Sequence, residues 1–280
     1  MSIGIALSLI AALAYGAADF LGGLATRRTP MLAVTAIAQS CGFVLLLLVL
    51  PFTPAHAMPS DYLFGALAGL FGALGVALLY HALSVGKMGV VSPIPAVIGP
   101  ALPLGYGLLR GERLTAGQAV GLLCALVAIL LISLSSEPSG EREFTTAGVR
   151  EAIVAGFAFG GFFIFLSYTR PEAALHNLVG ARVASIGVLL LAGLCTRTDF
   201  ASARADWRAI LACGVLDMTA NILYVLATFR TALAIAAVLV SLYPASTVFL
   251  ARVVLNERLA WIQKAGVAFA FAGVLLISLR

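Results

Sequence analysis

Apolar residues in this chain run in long blocks. Bounded by Pro, Gly or charge, the blocks fall at roughly 3–25, 31–50, 61–84, 88–109 and 115–134, and resume at roughly 149–169, 174–194, 207–228, 231–254 and 260–279. Most approach the ~20 residues that a helix needs to cross a bilayer. Leu, Ala and Gly dominate them, and none alternates with the period of two of a half-exposed strand, so the pattern predicts helices and not a barrel. The most polar stretch, SSEPSGEREFTTAGVR, begins at Ser135 and interrupts the series near the middle. It divides the chain into five-helix units at 1–134 and 149–280 with a linker at 135–148. The first block, MSIGIALSLIAALAYGAADFLGG, lacks the basic start of a secretory leader and is long for its apolar core, so it reads as a retained first helix.

Composition supports the membrane reading. Hydrophobic residues make up 62% of the 280 positions and charged residues 10%, against about 25% charged in soluble domains. Too few polar side chains are present to cover a water-facing surface, so the outer surface is expected to meet lipid, and no room remains for a soluble catalytic domain. The net charge of +5 comes from basic residues scattered singly between blocks, which suits headgroup anchoring and not nucleic acid. Cys41, Cys124, Cys195 and Cys213 lie in or beside apolar blocks without a CxxC pair, and read as small packing residues. Neither a metal site nor a cofactor is expected.

The halves repeat one another. A shift of 145 positions pairs Glu112-Arg113-Leu114 with Glu257-Arg258-Leu259, Gln118 with Gln263, Gly121 with Gly266, Ala125 with Ala270 and Asp61 with Asp206, and superposes the two LLISL endings. Similar composition alone does not bring these residue types to one offset. Two tandem copies of a five-helix unit enter a membrane from opposite sides. The expected fold is therefore all-α and integral to the membrane, with ten transmembrane helices as two inverted repeats around a central cavity.

The motifs Gly111-Glu112-Arg113-Leu114 and Asn256-Glu257-Arg258-Leu259, each followed by a glycine-bearing helix ending in LLISL, resemble the EamA unit of the drug/metabolite transporter superfamily. The segment SLYPASTVFLARVVLNERLAWIQKAGVAFAFAGVLLISL is especially similar to that family's C-terminal pattern. The resemblance covers the whole chain as two units. It implies a carrier, expected as an exporter, whose cavity is lined by the first four helices of each half. It also implies both termini in the cytoplasm. The charges point the other way. Arg27, Arg28, Lys87, Arg142, Arg150, Arg197, Arg204, Arg208, Arg252, Arg258 and Lys264 follow the odd helices, while the other side holds only Arg110, Arg113, Arg170, Arg230 and Arg280. On the positive-inside rule the termini lie outside, so orientation stays open.

Charges inside a span cost roughly 2.5–3.5 kcal/mol each at a helix centre, so each needs a reason. Asp217 and Asn221 are four apart on one helical face, and Asp217 reads either as a ligand for a cationic group or coupling proton, or as a structural hydrogen-bonding group. Asp19, with Tyr15 one turn before it and Phe159 at the matching point of the other half, is either a substrate contact or an interfacial acid near Arg27 and Arg28. Arg182, with Gln39 at comparable depth, is a counter-charge to Asp217, Asp19 or an acidic substrate, or a helix clamp. Pro93, Pro95, Pro100 and Pro103 crowd the fourth block, predicting a kinked or locally open helix, and Pro244 falls close to the matching place in the ninth. Paired interruptions point to a midplane site, with Tyr243, Ser241 and Ser246 as candidates to face it. Glu112 and Glu257 read as turn-fixing residues, with Thr115 and Gln118 as a capping box. Gly65, Gly69, Gly72 and Gly75 read as close-packing positions.

The functional expectation is secondary-active transport of a small metabolite or drug by alternating access, coupled to protons or working by exchange. The alternatives are a passive channel and an intramembrane enzyme using Asp19 and Asp217, although neither aspartate lies in a GxGD context and HExxH and GxSxG are absent. The expected partners are the small-molecule substrate and the lipid bilayer, with the chain a monomer or homodimer.

Overall fold

The computed structural model describes residues 2–53, 56–85, 93–133, 148–173, 175–255 and 260–278. The expected linker, apart from Gly148, and the second motif with Glu257 and Arg258 lie outside them. The helices are α1 (Ser2–Thr26), α2 (Met31–Val49), α3 (Pro59–Val85), α4 (Pro93–Leu109) and α5 (Ala116–Ser133) in the first half. The second half contains α6 (Val149–Ser167), α7 (His176–Cys195), α8 (Trp207–Thr228), α9 (Leu233–Val240), α10 (Tyr243–Leu255) and α11 (Trp261–Ser278). Among the described residues nine segments are long and apolar enough to span a membrane, and Ile94–Leu109 is a shorter apolar helix.

The proline-bearing helices of the two halves differ. The ninth block is not one helix, because α9 ends at Val240 and α10 begins at Tyr243. Pro244 explains the break: its ring clashes with the carbonyl four residues earlier, that of Val240, and it has no N–H to donate. In the first turn of a new helix neither defect matters. The fourth block behaves differently. From Pro93 to Leu109 it stays helical through Pro100 and Pro103, so within the described residues only the second half carries an interruption.

The helices pack mainly across the repeat boundary. α3 lies along α6 and α7, and in the mirror arrangement α8 lies along α1 and α2. α4 rests on α6 as α10 rests on α1, while α2–α7 and α5–α11 are pairs of equivalents. The same small-residue contacts recur at each crossing. A Cβ on Gly69 would collide with the carbonyl of Ala181, and one on Gly214 with that of Ala38. Likewise Gly16 is pressed against Tyr243 and Ser246, and Gly160 against Gly99 and Leu102. Without a hydrophobic force between helices in lipid, such backbone approach is what holds them together.

The interior is apolar, centred on Leu46, Phe163, Leu166, Leu178, Met218 and Tyr224. Large apolar side chains such as Leu48, Leu63, Leu123, Leu191, Phe249 and Phe271 point outward, an arrangement that water would oppose and lipid accommodates.

The first xERL motif has a role beyond its own turn. Gly111, with φ of 86°, takes the left-handed backbone after α4, and Glu112 N–H bonds the Gly107 carbonyl at 3.0 Å to close the helix end. The turn aims the Glu112 carboxylate at the other half, where it accepts from the N–H groups of Leu233 (2.7 Å) and Ala234 (3.0 Å) at the start of α9. Glu112 therefore stands in its own turn and also caps a helix of the opposite repeat. The expected capping box is present: Thr115 N–H donates to Gln118 Oε1 (2.9 Å) and Gln118 N–H to Thr115 Oγ1 (3.2 Å).

Candidate functional site

Several polar groups inside the bundle meet where α2, α3, α6, α7 and α8 come together. A cavity of about 30 Å³ lies there, lined by Gln39, Gly69, Gly72, Phe162, Arg182, Ser185 and Asn221 among others. That is room for about two waters. Arg182 is buried at 7% exposure and its Nη2 donates to Asp217 Oδ2 in an ion pair. Asn221, one turn on, donates from Nδ2 to the Asp217 carbonyl at 2.8 Å and more weakly to Oδ2 at 3.4 Å. Ser185 Oγ donates to Gln39 Oε1, tying α7 to α2.

Repeat symmetry explains why these groups meet and why they differ. The carbonyls of Ala38 and Ala181 seat Gly214 and Gly69 respectively, so the next residues, Gln39 and Arg182, occupy equivalent depths. Three positions beyond the two glycines stand Gly72 and Asp217. The first half thus has an amide and a glycine where the second has a guanidinium and a carboxylate. The ion pair belongs to one half only.

Asp19 lies in α1 beside this centre, within electrostatic reach of Asp217. It is exposed, and no hydrogen bond or ion pair holds its carboxylate among the described residues. Tyr15 sets its ring 6.3 Å from that of Tyr243, and its buried hydroxyl has no hydrogen-bond partner among the described residues. A buried hydroxyl of that kind calls for a water or a ligand.

The remaining candidates are elsewhere. Ser246 is in the α1–α10 seam, donating to the carbonyls of Ala12 and Tyr243, both at 3.0 Å. Ser241 is buried at the end of α9. Pro93 and Pro95 stand in the first turn of α4, where Pro95 packs on Gly156, and Pro100 is buried farther along that helix. Arg182, Asp217 and Asn221 are therefore brought together, with Asp19 and Tyr15 alongside. Ser185 carries no distinguishing signal in the sequence beyond its place three residues after Arg182, which puts it on the same face. The cysteines are free thiols.

A family model described as the EamA-like transporter family matches residues 2–134 and again residues 146–279. The chain belongs to the EamA-like transporter family. It is thus a multi-pass integral membrane protein of the drug/metabolite transporter superfamily with a two-repeat architecture. An uncharacterised protein of Methanocaldococcus jannaschii is 27% identical over 139 residues, which are 49% of this chain and all of that one, so that relative has the length of one EamA unit. A solved crystal structure superposes with a TM-score of 0.78 at 17% identity, covering 99% of this chain and 97% of the other. At that identity the likeness establishes the fold alone.

Proposed function

We propose that this EamA-family protein is a secondary transporter that carries a small metabolite or drug by alternating access, with the Arg182–Asp217 pair at its substrate path. The observation that carries this reading is a buried guanidinium paired with a carboxylate, bonded to a polar cluster between the two halves, in a largely apolar interior. Intramembrane charges are retained where they serve a pathway. The cavity of about 30 Å³ is far below the roughly 300–1,000 Å³ of small-molecule sites, so a substrate enters at this centre only when the helices around it part. That behaviour belongs to a carrier and is foreign to a standing pore.

Asp19 is the uncompensated charge of the centre, because Arg182 neutralises Asp217. A cationic group or a proton binds at Asp19, and a substrate acid competes with Asp217 for Arg182. The engagement of Asp217 with Arg182 also weighs against an aspartyl-type enzyme, in which both carboxylates share one water. The reading is tested with purified protein in liposomes, using labelled amino acids, nucleosides and cationic drugs with and without a pH gradient. Saturable, gradient-dependent accumulation supports it. Non-saturating flux would indicate a channel, and no flux in either direction or in exchange would sink the carrier reading.

A further inference from the structure

The two faces of the bundle are closed by unequal means. On the face where α1 begins, Asp61 at the start of α3 is buried, its side chain 2% exposed. It accepts from Arg170 Nε at 3.2 Å and Nη2 at 2.7 Å, and from Met58 N–H at 2.7 Å. A two-pronged guanidinium–carboxylate contact is the strong, oriented form of an ion pair. Arg170 Nη2 also reaches the His56 carbonyl at 3.3 Å, and His56 N–H bonds the Glu172 carbonyl at 3.1 Å. Beside this latch Tyr168 stacks on Phe64 with centroids 4.8 Å apart and bonds the Tyr106 hydroxyl, while Arg110 lies over both tyrosine rings. First-half helices α3 and α4 are thereby fastened to the end of second-half helix α6.

Repeat symmetry places Asp206 on the opposite face as the counterpart of Asp61. Among the described residues it receives there only a 3.4 Å contact from Thr29 Oγ1, at the weak limit of a hydrogen bond. Carrying the matched pairs Gly16–Gly160 and Tyr243–Gly99 along their helices sets Leu24 opposite Tyr168 and Leu250 opposite Tyr106, and the Asp61–Asp206 register sets Ala209 opposite Phe64. The counterparts of the three clamp aromatics are therefore aliphatic. Yet Arg27 and Arg28 stand just before Thr29, both exposed and unpaired with any acid among the described residues.

We propose that Asp61 with Arg170, and Asp206 with the Arg27–Arg28 turn, are symmetry-related latches that close in alternation. In this structure the Asp61–Arg170 latch is shut and its counterpart is undone. In the alternate state Asp61 and Arg170 part, and Asp206 takes up Arg27 or Arg28 as Asp61 now takes up Arg170. The inference rests on the carrier reading, and it adds an intrinsic bias: the aromatic clamp makes the state seen here the resting one.

The test reads conformation directly, so it stands apart from flux. Spin labels on L109C and E172C, in full-length protein freed of its native cysteines and held in lipid nanodiscs, report the distance across the Asp61–Arg170 face. The unsubstituted latch should give one short population. D61N should raise a longer-distance fraction by about five- to tenfold, and the swap D61R/R170D should bring the short distance back. Adding D206N to D61N should shrink the longer fraction, because the alternate state then loses its own latch, and R27Q/R28Q should act likewise. Distances indifferent to D61N in protein that the swap shows to be folded would overturn the proposal. A D61N shift that ignores both D206N and R27Q/R28Q would overturn the alternation. If the populations respond as stated while no solute crosses liposomes, the carrier reading fails and the latches remain.

Discussion

Arg182 is a buried cation whose charge is balanced by one carboxylate, and this dependence governs what substitution does. In Asp217→Asn the guanidinium loses its counter-ion in a low-dielectric interior, which is destabilising by about 1–3 kcal/mol with Asp217 itself partly exposed. The double variant R182Q/D217N removes both charges and should unfold at a higher temperature in detergent than either single variant, a coupling that a double-mutant cycle measures. If the pair serves transport, the double variant should still carry substrate poorly. Stability recovered together with normal flux would make the pair a structural clamp. Sequence spacing placed Asp217 and Asn221 on one face, and that much was legible. The choice of Asp217 over Asp19 as the partner of Arg182 depends on how α7 crosses α8, and local sequence carries no record of that crossing.

At the scale of the helix, two features set how the elements fit. Gly214 sits where α8 meets the α2 backbone, so Gly214→Ala forces the helices apart and should lower the thermal midpoint, an overpacking effect of about 1–3 kcal/mol. Gly23→Ala is the control: a Cβ there meets nothing, and the change should be neutral or stabilising by up to ~1 kcal/mol. The second feature is Glu112. Its carboxylate holds two N–H groups at the positive end of α9, so Glu112→Gln should lose about 1 kcal/mol of stability, and Glu112→Ala more, in thermal unfolding. The glycine spacing and the motif are visible in the sequence, but the partners of both lie more than a hundred residues away. The break before Pro244 and the continuous helix through Pro100 show the same limit. Chain chemistry permits either outcome, and neighbouring helices select one.

For the whole molecule, the decisive fact is that most close packing runs between the halves. α1 is embraced by α8, α9 and α10, and α3 by α6 and α7, so neither repeat can bury its small-residue faces alone. A chain divided within 135–147 and expressed as two pieces should assemble when both are made together, measured by co-purification, and each piece made alone should be degraded or aggregate. A half that is stable by itself would contradict this account. The alternating latches belong to this scale as well, because they join one half to the other at opposite faces.

Sequence by itself determined the helical, membrane-embedded character, the internal repeat and the family. All three rest on local apolar length or on residue types recurring at a fixed offset, and neither needs a third dimension. Tertiary structure alone decided which charges pair, which proline interrupts its helix, and that Glu112 caps the opposite repeat. It also decided which face is latched. Those outcomes depend on the approach of segments far apart in the chain, where a carbonyl, a Cβ or a guanidinium fits at only one crossing.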